Sequence, residues 1–145
     1  MFKNDGLKVA QFVYDFASET GVQAAYKLSA KAGYAPLPVG SIVINVVMKV
    51  VTAFTSGGAA TLTVGNTTDA DGYLTAIPLD SLVDNAVFTA QQLSGALLWD
   101  NLNDASLAAN VANANDGDVS VTIGAAAFTA GKAILFVSYY SPSLT

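Results

Sequence analysis

Residues 41–65 read SIVINVVMKVVTAFTSGGAATLTVG: a long alternating run, a Ser-Gly-Gly break and a shorter alternating run. Through Ile42, Ile44, Val46, Met48, Val50, Thr52 and Phe54 every second position faces one way, and all but Thr52 are apolar. Asn45 and Lys49 fall on the opposite parity. A period of two over that length defines a half-buried strand. Gly57-Gly58 reads as a hairpin turn, because glycine tolerates the positive φ of a tight reversal. The return strand is 60–65, with Leu62 and Val64 toward the core. No ligand chemistry lies anywhere along the stretch.

The same signals extend in both directions. Toward the N-terminus, 8–17 alternates with Ala10, Phe12, Tyr14 and Phe16 on one face. Residues 21–29 are ambiguous between a strand and a short helix, and the flanking glycines favour a strand. Pro36, Pro38 and Gly40 then punctuate the chain before the long strand. Toward the C-terminus, 66–72 (NTTDADG) is a polar loop and 73–76 a short strand. Pro78 followed by LDSLVDNA predicts one short helix near 79–86. Residues 93–100, with Trp99, read as a strand, and the Asn, Ala and Asp of 101–117 as a loop. Val119, Val121 and Ile123 share a face in 118–124, and 125–131 connects to 132–140. That last strand is apolar on both parities, which places it centrally in a sheet. Seven to nine strands at this spacing predict an all-β fold, a jelly-roll-like sandwich, in a single domain over 1–145.

Composition narrows the function. The chain has 145 residues, 52% hydrophobic and only 12% charged, about half the usual charged share. So charge-poor a surface implies burial against partners, hence oligomerisation. Net charge is −5, with six lysines and no arginine. A nucleic-acid partner is not expected, because binding needs a basic footprint and base readout favours arginine. Histidine and cysteine are absent, which removes the commonest general base, the commonest transition-metal ligand, the thiolate nucleophile and any disulfide. The opening MFKNDGLKV has no signal-peptide core, and the longest apolar run is too short and too interrupted for a spanning helix. The expectation is a soluble protein, made without an export signal and with no membrane partner.

Each candidate for chemistry has a plainer reading beside it. Asp69, Asp71 and Gly72 resemble part of a calcium loop, but alignment on the glycine leaves Thr67 first and Pro78 last, without the bidentate carboxylate. A solvated turn explains them better, and Asp116-Gly117-Asp118 is weaker still. Asp15 with Glu19, or Asp100 with Asp104, could form a glycosidase pair, yet nothing around them signals a cleft. Gly57-Gly58 and Gly131-Lys132 miss the phosphate-loop spacing and fit turns. Tyr139-Tyr140, Tyr73 and Trp99 could make a sugar platform, although core or interface packing is the commoner role of such aromatics. Lys49, the one charge on the outward face of an apolar strand, either blunts edge pairing or neutralises a partner's carboxylate.

FVYDFA at 12–17, LPVGSIVINVVMKV at 37–50, FTSGGAATLTVG at 54–65, DADGYL at 69–74 and FTAGKAILFVSYY at 128–140 together resemble small structural proteins of tailed bacteriophages. Those proteins are encoded near the capsid genes and assigned as capsid decoration or other virion components. The resemblance implies a virion structural protein and no enzyme: a capsid decoration (cement) protein, trimeric, holding the capsid lattice through non-covalent contacts. Its partners would be the major capsid protein and copies of itself. It would sit on the outer capsid surface after assembly in the host bacterial cytoplasm, where disulfides are not expected. No catalytic, cofactor-binding or metal-binding residue carries over, because the shared patterns are turns and strands. Segment 1–12 is a candidate arm that adds a strand to a neighbour, and loops 55–59 and 66–72 are candidate contact patches. The other readings are a receptor- or glycan-binding knob of a tail fibre, using Tyr73 and a metal at Asp69 and Asp71, and a small hydrolase on a sandwich fold.

Overall fold

The alternating runs become ten strands in a computed structural model, which describes residues 2–3, 6–38, 40–90, 92–93, 95, 117–140 and 143–144. They are β1 (Phe2–Lys3), β2 (Leu7–Asp15), β3 (Ala25–Lys27), β4 (Ile42–Ser56), β5 (Thr61–Gly65), β6 (Leu74–Pro78), β7 (Val87–Thr89), β8 (Ser120–Gly124), β9 (Phe128–Tyr140) and β10 (Ser143–Leu144). Two antiparallel four-stranded sheets have the orders β2-β9-β4-β7 and β3-β8-β5-β6, and β1 pairs with β10. The chain changes sheet at every step from β2 to β9 except β5–β6, which is jelly-roll order. The all-β sandwich expected from the periodicity is the observed fold, and the inner faces of both sheets contribute to one apolar core.

Three local expectations give way to long-range pairing. First, Ser56-Gly57-Gly58 is a crossover rather than a hairpin turn. β4 stays paired with β9 as far as Ser56 opposite Phe128, while β5 pairs only with β6 and β8. The Ser56 hydroxyl donates to the Ala127 carbonyl at 2.6 Å and accepts from Gly58 N at 3.2 Å, fixing the corner. Second, 79–86 forms only a single 3-10 turn at Leu79–Ser81. Beyond it, apart from one local turn bond from Ala86 N to Val83 O, the backbone bonds mainly to β4: Phe54 N to Leu82 O, Asn85 N to Val50 O, and Val50 N to Ala86 O, at 2.9–3.0 Å. Third, the first strand stops at Asp15 and a four-residue helix, α1 (Phe16–Glu19), follows. The Asp15 carboxylate accepts from Ala17 N, and Glu19 reaches back to Asp15 N at 2.6 Å, a reciprocal cap that ends the strand.

The parity of β4 also breaks. Val46, Met48, Val50 and Phe54 are buried as the alternation predicts, but Val43 is buried and Ile42 is 44% exposed. Between Val43 and Asn45 the register with β9 shifts by one residue, so Ile44 is extra and the faces exchange. The ambiguous 21–29 segment supplies β3 and then a 3-10 turn, Leu28–Ala30. β9 starts at Phe128, absorbing residues that the sequence assigned to a connection. The candidate arm 1–12 is divided: Phe2–Lys3 pairs with Ser143–Leu144, and residues 7–12 belong to β2, paired with β9 from Leu7 opposite Tyr140. The strand expected at 93–100 and the loop at 101–117 lie almost wholly outside the described residues.

Candidate interaction surface

β2 is an edge strand, and part of that edge is already occupied. Lys31 Nζ donates to the Val13 carbonyl at 2.9 Å and Glu19 accepts from Asp15 N, while Lys31 and Glu19 form an ion pair with each other. Those two side chains blunt the strand at its C-terminal half. A partner therefore meets the face of this sheet more readily than that end of its edge.

The residues singled out for chemistry have structural work. Asp15 faces Lys132 at 3.4 Å and caps α1, and Glu19 is held by Lys31, so this pair is not poised over a cleft. Asp118 pairs with Lys27 at 3.0 Å. Gly131-Lys132 lies inside β9, with the Phe54 ring packed where a Cβ would be, and leaves no phosphate cradle. Tyr73 is wholly buried and cannot face a sugar, while Tyr139 is half-buried and Tyr140 exposed on successive positions of β9. Trp99, Asp100, Asp104 and Asp116 lie outside the described residues.

The 66–72 loop is folded by Asn66, whose side-chain oxygen accepts from Thr68 N at 3.0 Å and Asp69 N at 2.8 Å. Burial raises the Asp69 carboxyl above its ordinary value of 3.8, and a hydrogen bond and charge repulsion from Asp71 push the same way. A carboxyl whose charged form is disfavoured makes a weaker calcium ligand. The folded state thus binds this proton more tightly than the unfolded chain. The resulting stability is fully present below the ordinary carboxylate range and is lost as pH rises through the raised value. Asp69→Asn, neutral throughout, should melt about 1 °C higher than the wild type at pH 7 and no higher at pH 3, the effect being small because solvent screens the loop. Calorimetry at the two pH values checks it; an equal gain at both would exclude the carboxyl as its source. Among the described residues no three His, Cys, Asp or Glu side chains group as metal ligands, and no helix is long and apolar enough to cross a membrane.

The surface that sequence reasoning did not assemble is the outward face of the β2-β9-β4-β7 sheet. Cross-strand partners share a face, so the registers set Gln11, Phe136, Val47 and Thr89 in one row and Val13, Ile134, Lys49 and Val87 in the next. Val9 at 60% and Val87 at 51% are among the most exposed apolar side chains of the described residues. The signal was present: 132–140 is apolar on both parities, one facing the core and the other this surface. A concavity of about 430 Å³ lies beside β5 and β6, lined by Ala59, Ala60, Thr61, Pro78, Leu79 and Asp80.

The same fold occurs in solved phage capsids. Residues covering 96% of this chain superpose on 86% of a chain in the cyanophage Pam1 capsid asymmetric unit, with a TM-score of 0.61 and 20% identity. In the acidic stable capsid of Helicobacter pylori bacteriophage KHP30 the match covers 100% of this chain and 95% of the other, at TM-score 0.60 and 17% identity. In the capsid of Ralstonia phage GP4 it covers 99% and 88%, at 0.53 and 14%. At these identities the likeness is one of fold. No protein-family model matches the sequence, and no curated protein does.

Proposed function

We propose that this chain is a phage virion structural protein, and specifically a decoration protein that binds the outer surface of the capsid lattice and stabilises it without covalent chemistry. The observation that carries the reading is the end-to-end likeness of fold to chains in three phage capsids. The composition agrees: few charges, no histidine, no cysteine and an exposed apolar sheet face suit broad subunit contact better than turnover. The working unit is a homotrimer and the principal partner is the major capsid protein, joined in the host bacterial cytoplasm. Bridging contacts between neighbouring shell subunits must then be broken before internal DNA pressure can open the shell.

Copy number on purified particles tests this. Quantitative gel analysis or a cryo-EM map should find hundreds of copies per virion on the outside of the shell. A few tens or fewer at the tail would overturn the decoration role and favour the receptor-binding knob, and absence from particles would remove the virion reading altogether.

A further inference from the structure

The two sheets treat their outward faces differently. In the β3-β8-β5-β6 sheet the outward rows carry Thr61, Thr63, Ser120, Thr122 and Lys27, a polar set, although Ser120 and the hydroxyls of Thr63 and Thr122 are buried. In the β2-β9-β4-β7 sheet the equivalent rows are mainly valine, isoleucine and phenylalanine, with Gln11 and Thr89 on the edge strands, Ser138 and Asn45 one row further along, and Lys49 at the centre. Lys49 is exposed, and among the described residues it has no ion-pair or hydrogen-bond partner. The other outward-row ionic groups, Asp15 and Lys132, lie at the end of the sheet and neutralise each other. An apolar field around one unmatched cation suits a partner surface that is itself apolar and carries a carboxylate opposite it.

The extent of the face selects the partner. Three strands about 4.8 Å apart over the residues from Val9 to Asp15, with the three residues of β7 beside them, offer roughly 400 Å². A stable two-body interface needs about 800 Å² per partner. This face alone therefore does not sustain a pair of free copies, whereas an oligomer that places several such faces on a repeating shell gains avidity from each. We infer that the outward face of the β2-β9-β4-β7 sheet, centred on Lys49, is the surface that docks on the capsid shell, and that the shell protein presents an acidic side chain within an apolar patch there. This rests on the decoration reading and assigns it a surface.

The test uses capsids assembled without this chain, with purified protein added and the bound copies measured by co-sedimentation over a range of concentrations. Wild type and Lys27→Glu, the same charge change on the polar sheet, should bind alike, and Lys49→Glu should bind at least about tenfold more weakly. Val9→Asp, on the exposed rim of the same face, supplies the comparison should Lys49→Glu melt early. Equal binding by wild type and the folded face variants, or equal losses for Lys27→Glu and Lys49→Glu, would overturn the assignment of the face while leaving the decoration reading standing. Failure of the wild type itself to bind would overturn both.

Discussion

Gly131→Ala should lower the melting midpoint by about 6–12 °C, the equivalent of roughly 3 kcal/mol in a domain of this size. Two independent costs add. Gly131 sits inside β9 at φ +139°, where a side chain strains the backbone by about 1–3 kcal/mol. Its missing Cβ is also where the Phe54 ring packs: an added methyl would lie 2.2 Å from Phe54 Cδ1. That ring cannot easily retreat. It is 5% exposed, its centroid is 4.7 Å from that of Phe128, and it stacks on Tyr14 at 5.9 Å. Tyr14 is itself tied by its hydroxyl to the Thr20 carbonyl at 2.7 Å, and burial pushes that phenol's pKa up. Overpacking such a cluster typically costs about 1–3 kcal/mol more. Because part of the penalty belongs to the ring, Gly131→Ala in a Phe54→Ala background should cost clearly less than in the wild type. Thermal melts of the four proteins decide it, and strictly additive losses would mean that the alanine methyl and the ring do not compete for the same space.

The glycine shows where sequence reading stops. T-A-G-K before an apolar run looks like a turn leading into a strand, because glycine before a β run usually is one. The strand begins at Phe128 because Ser56 and Thr55 on β4 extend the ladder across these residues, and that partner lies some seventy positions away. The same distance hides the role of Ser56-Gly57-Gly58. The dipeptide announces a change of direction and says nothing about which sheet the next strand joins. By contrast, the alternation of Val46, Met48 and Val50 is legible because inward and outward positions are set by the pleat alone. It fails at Ile44, where an unpaired extra residue opposite β9 reverses the faces, and no local feature of Val43-Ile44-Asn45 marks it. The helix read at 79–86 had a favourable start at Pro78, but the free backbone groups of β4 offered stronger partners. The candidate surface was half visible: Lys49 stood out on its strand, while its apolar setting required the registers of β2, β7 and β9.

Adjacent residues of β9 should respond in opposite ways to truncation, and this separates core from docking surface. Leu135 is wholly buried, in an inward row with Phe12, Met48 and Phe88, and Leu135→Ala should cost about 3 kcal/mol, within the usual 2–5 for a buried leucine, lowering the midpoint by about 6–12 °C. Phe136 faces outward in the row with Gln11, Val47 and Thr89 and is only half-buried. Its loss should cost about 1 kcal/mol, the range over which side chains differ on an open sheet face. Its larger effect should appear on capsids, where removing an aromatic from the centre of an interface weakens binding about tenfold or more. Leu135→Ala, measured well below its lowered midpoint, should bind capsids nearly as the wild type does, because its side chain never meets the shell. If Phe136→Ala instead destabilised the free protein as much as Leu135→Ala, the phenyl ring would already be covered within the chain. The apolar rows of this sheet would then be a second core rather than a surface awaiting a partner.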